Sequence, residues 1–189
     1  MIIRHIDEFD KYVGITGFKG VKIGLLSDFF AKICRKTPAN VGIQFFDAKL
    51  IASWEHIYFA IFNALAAFEK QTNISRSLPM EAMLYASAQH QIAKATKLLG
   101  ITRSSSQTAV LLVGEKLSDV KLAFSVVSKH VHAEEDESVL ELSDEKAALI
   151  KRAFAVSQQE IDTVSERNDQ NRALADLVIE RMALLATKR

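Results

Sequence analysis

The chain of 189 residues contains one cysteine, two prolines and seven glycines, and its formal net charge is only +1. The lone Cys34 excludes an internal disulfide and is typical of a protein from a reducing compartment. A net charge near zero gives no overall field that would attract nucleic acid, so any RNA contact must come from a local patch. No apolar run approaches the length of a bilayer span, and Asp7, Glu8 and Asp10 argue against a signal peptide. We therefore expect a cytoplasmic protein, or also a nuclear one in a eukaryote, without membrane contact.

Hydrophobic patterns predict an α+β fold, in which a small, mostly antiparallel sheet is packed with helices. The predicted strands are Met1–Ile6, Lys11–Phe18, Val41–Phe46, Thr108–Gly114 and, at an edge, Val139–Leu142. Thr108–Gly114 is an unbroken β-forming run, which predicts the centre of the sheet. The length suits a single domain over residues 1–189, with a C-terminal helical segment over 157–189.

Apolar residues at helical spacing predict several helices: Val21–Arg35, Trp54–Gln71, Leu117–His130 and a short helix that Ser143 caps and that ends near Phe154. The buried face of the first is expected to contain Leu25, Leu26, Phe29, Phe30 and Ile33. The second helix, which Ser53 can cap, is apolar nearly all round, so we expect it in the core against the sheet or partly at an interface. Its narrow small or polar stripe consists of His56, Ala60, Asn63, Ala67 and Lys70. We interpret His56 as a rim or capping residue, because no second metal ligand lies one turn away.

The most informative stretch is Ser77–Gly100, which predicts two short helices separated by the polar residues Ser87–Gln91. Pro79 suits a first helical turn, and Gly100 is a plausible left-handed stop. Each helix has an apolar stripe, formed by Met80, Met83 and Leu84 in the first and by Ile92, Ala95 and Leu99 in the second. The polar break is either a cap that satisfies loose backbone groups or a contact surface.

The segment L-Y-A-S-A-Q-H-Q-I-A-K-A, Leu84–Ala95, resembles the signature of one KEOPS (EKC) complex subunit, the Cgi-type family that binds the kinase-like ATPase PRPK. The residues in register with the family pattern are Ser87, Gln91, Ile92, Gly100 and Ile101. Ala88 stands where glycine is common, so a tight left-handed turn is less expected there. The resemblance includes Phe46–Leu65 and is best over residues 1–114.

The resemblance implies a non-catalytic subunit that captures the single-stranded 3′ CCA end of tRNA and docks on the PRPK-type ATPase. It would thereby bring tRNA to the transferase subunit that makes threonylcarbamoyladenosine. Single-stranded RNA capture needs cations along the phosphates and flat or apolar surface for the bases. Charge and placement give the candidate RNA-binding residues Arg76, Gln89, His90, Gln91, Lys94 and Lys97. A purely protein-binding regulator of the same ATPase, without RNA contact, is the alternative.

The C-terminal segment begins with a capping box at Ser157–Glu160. Apolar residues then recur at heptad-like spacing, with Asn168 and Asn171 in the middle of the seam, although the polar run Ser165–Arg172 could equally be a break between two helices. In the family the terminal helix helps contact the kinase-like subunit, whereas the alternative is that its apolar face closes the domain's own core. The candidate interface residues are Leu174, Leu177, Val178, Arg181, Met182 and Leu185.

No catalytic set emerges from the sequence, which has no P-loop, no G-x-S-x-G and no H-E-x-x-H motif. The N-terminal glycines have the wrong spacing for a dinucleotide loop and are interpreted as turn and close-packing positions: Gly14, Gly17, Gly20 and Gly24. His130 and His132 share a face only in a strand, so a metal site there is not favoured. We therefore expect a binding protein with no enzymatic activity, cofactor or metal.

Overall fold

A computed structural model describes residues 1–165 and 169–185 of the chain. These residues form two compact units. The sheet unit consists of Met1–Ala48 and Gly100–Val139, and the helical unit consists of Lys49–Leu99 and the described residues from Leu140 onward. In the described ranges, no helix combines the length and the apolar character needed to cross a membrane.

The described elements confirm the predicted α+β class. The strands are β1 (Ile2–Ile6), β2 (Lys11–Lys19), β3 (Gly42–Asp47), β4 (Gln107–Gly114) and β5 (Glu134–Glu135). The α-helices are α1 (Leu26–Cys34), α2 (Trp54–Glu69), α3 (Leu78–Ala86), α4 (Ile92–Leu99), α5 (Leu117–Val131), α6 (Asp144–Ala153), α7 (Gln158–Val164) and α8 (Gln170–Ala183). Short 3₁₀ helices lie at Asp7–Phe9, Ala48–Leu50 and Glu137–Leu140.

The sheet is antiparallel throughout, in the order β1-β2-β4-β3, with β5 paired to β2. β4 pairs with β2 from Gln107 opposite Lys19 to Gly114 opposite Tyr12, and with β3 on its other side. Residues 108–114 are all buried, as the continuous apolar run predicts for a strand covered on both faces. The central position of β4 is therefore confirmed.

Helix α5 packs on β2 and β4, and α1 packs on α5. Two glycines of the sheet unit match their interpretation. A Cβ on Gly17 would lie 2.6 Å from the carbonyl oxygen of Asp136, so this position requires close packing, and Gly20 has a positive φ of 77° at a turn. Gly24 has open space around it, so the close-packing interpretation is wrong there.

The predicted start of the first helix is wrong, since α1 begins at Leu26. Residues 21–25 belong to no helix or strand, and buried and exposed side chains alternate over 21–24, so the apolar residues follow a period of two rather than a helical period. Of the residues predicted on the buried face, Ile33 is fully buried, whereas Leu25 and Phe30 are 54% and 37% exposed.

The predicted edge strand Val139–Leu142 is also wrong. Val139 and Leu140 are buried at the end of a 3₁₀ helix, and the edge strand is formed by Glu134–Glu135 instead. The apolar pair therefore anchors the segment by burial of its side chains and not by strand pairing.

Within the helical unit, α2 packs mainly on α3 and also on α8, and α8 contacts α6 and α7. The predicted N-terminus of α2 is confirmed, because the Ser53 side chain accepts a hydrogen bond from the His56 amide at 3.3 Å. Pro79 lies in the first turn of α3, and Ser143 caps α6, as predicted. That α2 packs against the sheet stays a prediction.

The prediction of which face of α2 is buried is wrong in part. The small or polar stripe was expected to be the least covered, yet His56, Ala60 and Ala67 are buried, whereas Phe59 is 40% exposed. Small side chains allow a neighbouring helix to approach closely, and α3 packs along α2. Close helix packing therefore decides burial on α2 more than side-chain hydrophobicity does.

Two predictions for the second half of the Ser77–Gly100 stretch are corrected. Ala95 and Leu99 are buried, but Ile92 is 43% exposed at the first turn of α4. Gly100 does not have a positive φ, so it is not a left-handed stop. The stripe of α4 is therefore narrower than its spacing suggests, and an apolar side chain remains at the surface beside the break.

The C-terminal segment is two helices and not one. The capping box at Ser157 is present, with the Ser157 amide donating to Glu160 Oε2 at 2.8 Å and the Glu160 amide donating to Ser157 Oγ at 3.2 Å. Helix α7 ends at Val164, and α8 has its own N-cap, Asp169. Asn168 of the predicted seam lies outside the described residues, and Asn171 is exposed.

Three helix ends of the helical unit are closed by left-handed residues that are not glycine. Gln71, Ala88 and Ala155 have φ values of 56°, 50° and 52° and follow α2, α3 and α6. After α3, the Ala88 amide donates to Tyr85 O at 2.8 Å and the Gln89 amide to Leu84 O at 3.0 Å, the hydrogen-bond pattern of a Schellman motif. The tight turn at Ala88 therefore forms despite the absence of glycine, contrary to the expectation from sequence.

A Cβ atom in the left-handed conformation is unfavourable, so glycine is expected to stabilise this helix end. Ala88→Gly should raise the free energy of unfolding by about 1 kcal/mol, measured by urea denaturation. Ala148→Gly, at an exposed interior position of α6, is the matched control and should lower it by about 1 kcal/mol. A loss of stability with Ala88→Gly would contradict the assigned backbone conformation.

Candidate functional site at the break between α3 and α4

A fully buried histidine of α2 forms hydrogen bonds that fix the end of α3, just before the break between α3 and α4. His56 Nδ1 accepts a hydrogen bond from the Ala52 amide at 3.2 Å, and His56 Nε2 lies 2.8 Å from the carbonyl oxygen of Ala86. An amide only donates and a carbonyl only accepts, so the neutral ring must carry its proton on Nε2. The ring thus joins the start of α2 to the last residue of α3.

Burial is the main reason why His56 stays neutral. It lowers the pKa of His56 from 6.5 to about 4, which outweighs the opposite effect of the bond to Ala86 O, and the nearby Lys146 adds to the lowering. Lys146 is itself nearly buried and donates to the Glu141 carbonyl at 2.9 Å. Desolvation lowers the pKa of Lys146 to about 8. The interpretation of His56 as a rim residue is therefore wrong, whereas its contact with the Ala52 amide fits a capping role.

The other end of α3 is fixed by a buried carboxylate. Glu81 Oε2 accepts hydrogen bonds from the amides of Ile74 and Ser75, at 3.0 and 2.7 Å. These bonds shape the loop that carries the exposed Arg76. A carboxylate that binds two amides of one loop restricts its conformation strongly, because charge-assisted hydrogen bonds are about twice as strong as neutral ones.

A cleft of about 290 Å³ opens beside the break. Its walls come from the end of α3, the end of α6 and the end of α8, and they include Gln89, His90, Phe154, Arg181 and Leu185. The ring of Phe154 also meets that of His56, with the ring centroids 5.7 Å apart. The cleft thus combines hydrogen-bonding side chains and a cation with apolar surface.

The candidate RNA-binding residues divide into three groups. Gln89 and His90 line the cleft. Gln91, Lys94 and Lys97 are exposed on or next to α4, on the same helix as the exposed Ile92, and they do not line the cleft. Arg76 is exposed in the loop before α3. All six side chains are at least partly accessible, so the structure leaves them available for a ligand.

The candidate interface residues are mostly unavailable, which corrects the expectation of an exposed apolar stripe on the terminal helix. The buried members of the set are Leu174, Leu177, Val178, Met182 and Leu185. Leu174, Leu177 and Val178 pack with Ile150, Phe154 and Ile161 in the core of the helical unit. Arg181 remains partly accessible and forms an ion pair with Glu160. The stripe therefore closes the unit's own core, which is the alternative considered from sequence.

His130 and His132, the other pair considered from sequence, lie at the end of α5. His132 has a left-handed backbone, with a φ of 49°. Among residues 1–165 and 169–185, no group of three or more His, Cys, Asp or Glu side chains is arranged to hold a metal ion.

The helical unit of this α+β chain thus presents a polar break beside a cleft that combines hydrogen-bonding groups and a cation with apolar surface. Residues 23–186 match the model of the family described as "Kinase binding protein CGI-121". The chain therefore belongs to this family. It is also 28% identical to the "Regulatory protein Cgi121" of Methanocaldococcus jannaschii over 152 residues, which cover 79% of this chain and 88% of that protein.

The buried neutral His56 predicts a specific pH dependence of stability. Its folded-state pKa of about 4 lies below the unfolded value of 6.5, so its stabilisation is complete above pH 6.5 and is lost as the pH falls toward 4. The loss should reach about 3 kcal/mol, measured by chemical denaturation across this range. In His56→Gln, which cannot titrate, this contribution to the slope should disappear.

Gln159→Ala, at an exposed position without a titratable group, is the control for this measurement and should leave the pH profile unchanged. A His56→Gln profile as steep as that of the wild type would show that another group produces the slope.

Proposed function

We propose that this protein is a non-catalytic subunit of the KEOPS complex that docks on the kinase-like ATPase of the PRPK type and holds the 3′ CCA end of tRNA. It would thereby support the formation of threonylcarbamoyladenosine by the transferase subunit. Membership of the CGI-121 family is the observation that carries the kinase-docking part. The tRNA part is supported by the chemistry around the α3–α4 break.

Several features at the break suit a single RNA strand. Lys94 and Lys97 lie three residues apart on an exposed side of α4, which places two solvent-exposed cations next to each other on the helix surface. Ile92 adds an apolar surface at the start of the same helix, where it is 43% exposed. Cations for phosphates next to apolar surface for bases are the basic requirements for single-strand binding.

The cleft supplies the groups that could recognise a base. Amide and imidazole side chains of Gln89 and His90 can hydrogen-bond base edges, while the mostly buried Phe154 and Leu185 form an apolar floor of the cleft. The buried hydrogen bonds of His56 fix the end of α3, so the backbone that carries Gln89 and His90 has a defined position. A preorganised surface of this kind loses less entropy when it binds a strand.

We propose that docking on the kinase-like partner uses accessible side chains of the helical unit. Near the end of α8 these include Arg181 and Leu184, the latter 36% exposed. An apolar side chain beside a cation at the end of a terminal helix suits the centre or rim of a helix-mediated interface. We therefore place the docking surface at this end of α8 and not on its buried stripe.

The tRNA role predicts a loss of affinity when the α4 cations are reversed. Lys94→Glu together with Lys97→Glu should lower the affinity for tRNA at least about tenfold at moderate salt, because two phosphate contacts become repulsive. Wild-type affinity should also fall when the tRNA lacks its CCA, and the double variant should be nearly indifferent to that removal. Binding is measured by titration of labelled tRNA with and without CCA.

The matched control is Lys116→Glu with Lys121→Glu, which makes the same change in net charge at exposed positions of the sheet unit. It should leave the CCA dependence intact. Independent and additive effects of CCA removal and of the α4 reversal would place the RNA end elsewhere. If neither change matters, the protein is a purely protein-binding regulator of the ATPase, an alternative that its net charge of +1 favours.

The docking surface predicts different outcomes for exposed and buried positions of the terminal segment. Leu184→Glu should weaken binding to the kinase-like subunit about tenfold and leave the melting temperature nearly unchanged. Val178→Glu should instead destabilise the protein by about 3 kcal/mol or more, because it buries an unpaired carboxylate. Calorimetric titration and thermal melts of both variants give the comparison. Unchanged affinity in Leu184→Glu would remove this end of α8 from the interface.

A further inference from the structure

The sheet unit contains a second cleft, of about 360 Å³, at the start of α1 and the end of α5. It lies within this one unit and shares no residue with the cleft beside the α3–α4 break. Its volume falls within the range of small-molecule sites, which begins at roughly 300 Å³.

Basic side chains from three segments line this cleft: Lys22, Lys32, His130 and His132. Within the described part of the chain, Lys22, Lys32 and His132 have neither an ion-pair partner nor a side-chain hydrogen bond. His130 Nδ1 lies 2.7 Å from the carbonyl oxygen of Val126, so in the neutral ring Nδ1 carries the proton and Nε2 is an acceptor for a hydroxyl group. The two unpartnered lysines that meet at this concavity favour an anion such as a phosphate.

The same cleft offers two further kinds of group. Its only acid in the described ranges, Asp28, is a carboxylate of the type that binds ribose hydroxyls. Leu25 and Phe29 form an apolar wall, where Leu25 is 54% exposed although it is a large hydrophobic residue. The Phe29 ring packs in T-shaped geometry with the rings of Phe30 and Phe45, whose centroids lie 5.6 and 5.2 Å away. A supported aromatic ring is a suitable platform for a flat base.

We propose that this cleft binds one nucleotide unit. Lys22 and Lys32 bind the phosphate, Asp28 and His130 Nε2 accept hydrogen bonds from the ribose hydroxyls, and Leu25 with Phe29 contacts the base. A free nucleotide and a nucleotide of an RNA strand share this chemistry, and the two sources are separated by experiment. The proposal does not rest on the capture of CCA by the helical unit, since it uses none of the same residues.

The test is a titration of the full chain with AMP, followed by amide chemical shifts in ¹⁵N-labelled protein. Shifts are expected at Lys22, Gly24, Lys32 and His130, and Lys22→Ala with Lys32→Ala should weaken AMP at least about tenfold. The control Lys116→Ala with Lys121→Ala removes the same charge from exposed positions of the same unit and should change the affinity by less than about twofold. Parallel titrations use adenosine, inorganic phosphate and a short single-stranded oligoribonucleotide.

Weaker binding of both adenosine and inorganic phosphate than of AMP supports the proposal. Tighter binding of the oligoribonucleotide than of AMP assigns the source to RNA, and the reverse assigns it to a free nucleotide. The proposal is overturned if AMP shifts map elsewhere, if the Lys22 and Lys32 substitutions have no effect, if inorganic phosphate binds as well as AMP, or if a phosphoserine peptide binds better. Because Lys94 and Lys97 are unchanged in these variants, a failure here leaves the tRNA experiment unaffected.

Discussion

The helical unit depends on a buried imidazole whose two nitrogens must both find partners away from water. His56 satisfies this requirement by accepting from the amide of Ala52 before α2 and donating to the carbonyl of Ala86 at the end of α3. A buried polar ring that lost either partner would be costly, so the two helix ends are fixed relative to each other. The left-handed turn at Ala88 starts directly from this fixed point.

The placement of the candidate site follows from that constraint. Phe154, at the end of α6, packs edge-on against the ring of His56, and the last turn of α8 completes the cleft with Arg181 and Leu185. Three helix ends therefore meet at one place, where backbone groups, polar side chains and apolar surface are all available. Such a site offers hydrogen-bonding groups and apolar surface to a ligand, and it lies in a chain that belongs to a kinase-binding family.

Local features of the fold were predictable, and features set by distant packing were not. Ser53, Ser143 and Ser157 each cap a helix by accepting a hydrogen bond from the amide three positions ahead. A segment of four residues is therefore enough to predict where each of these helices begins. The burial of His56 depends on α3, which comes much later in the chain. The stripe of α8 shows the same limit, because its period reveals an apolar face but not that α6 and α7 cover it. Only the three-dimensional contacts distinguish a core from an interface.

The path of the chain through the sheet has a consequence for biosynthesis. The segment that builds α2, α3 and α4 is inserted between β3 and the central strand β4, and Lys19 of β2 pairs with Gln107 of β4. A ribosome adds about 5–20 residues each second, so β2 emerges several seconds before its central partner β4. During that interval the apolar strand β2 has an unpaired edge and is exposed to aggregation. Early formation of the contacts between α2 and α3, which are close in sequence, would shorten the time in which the nascent chain has no folded part.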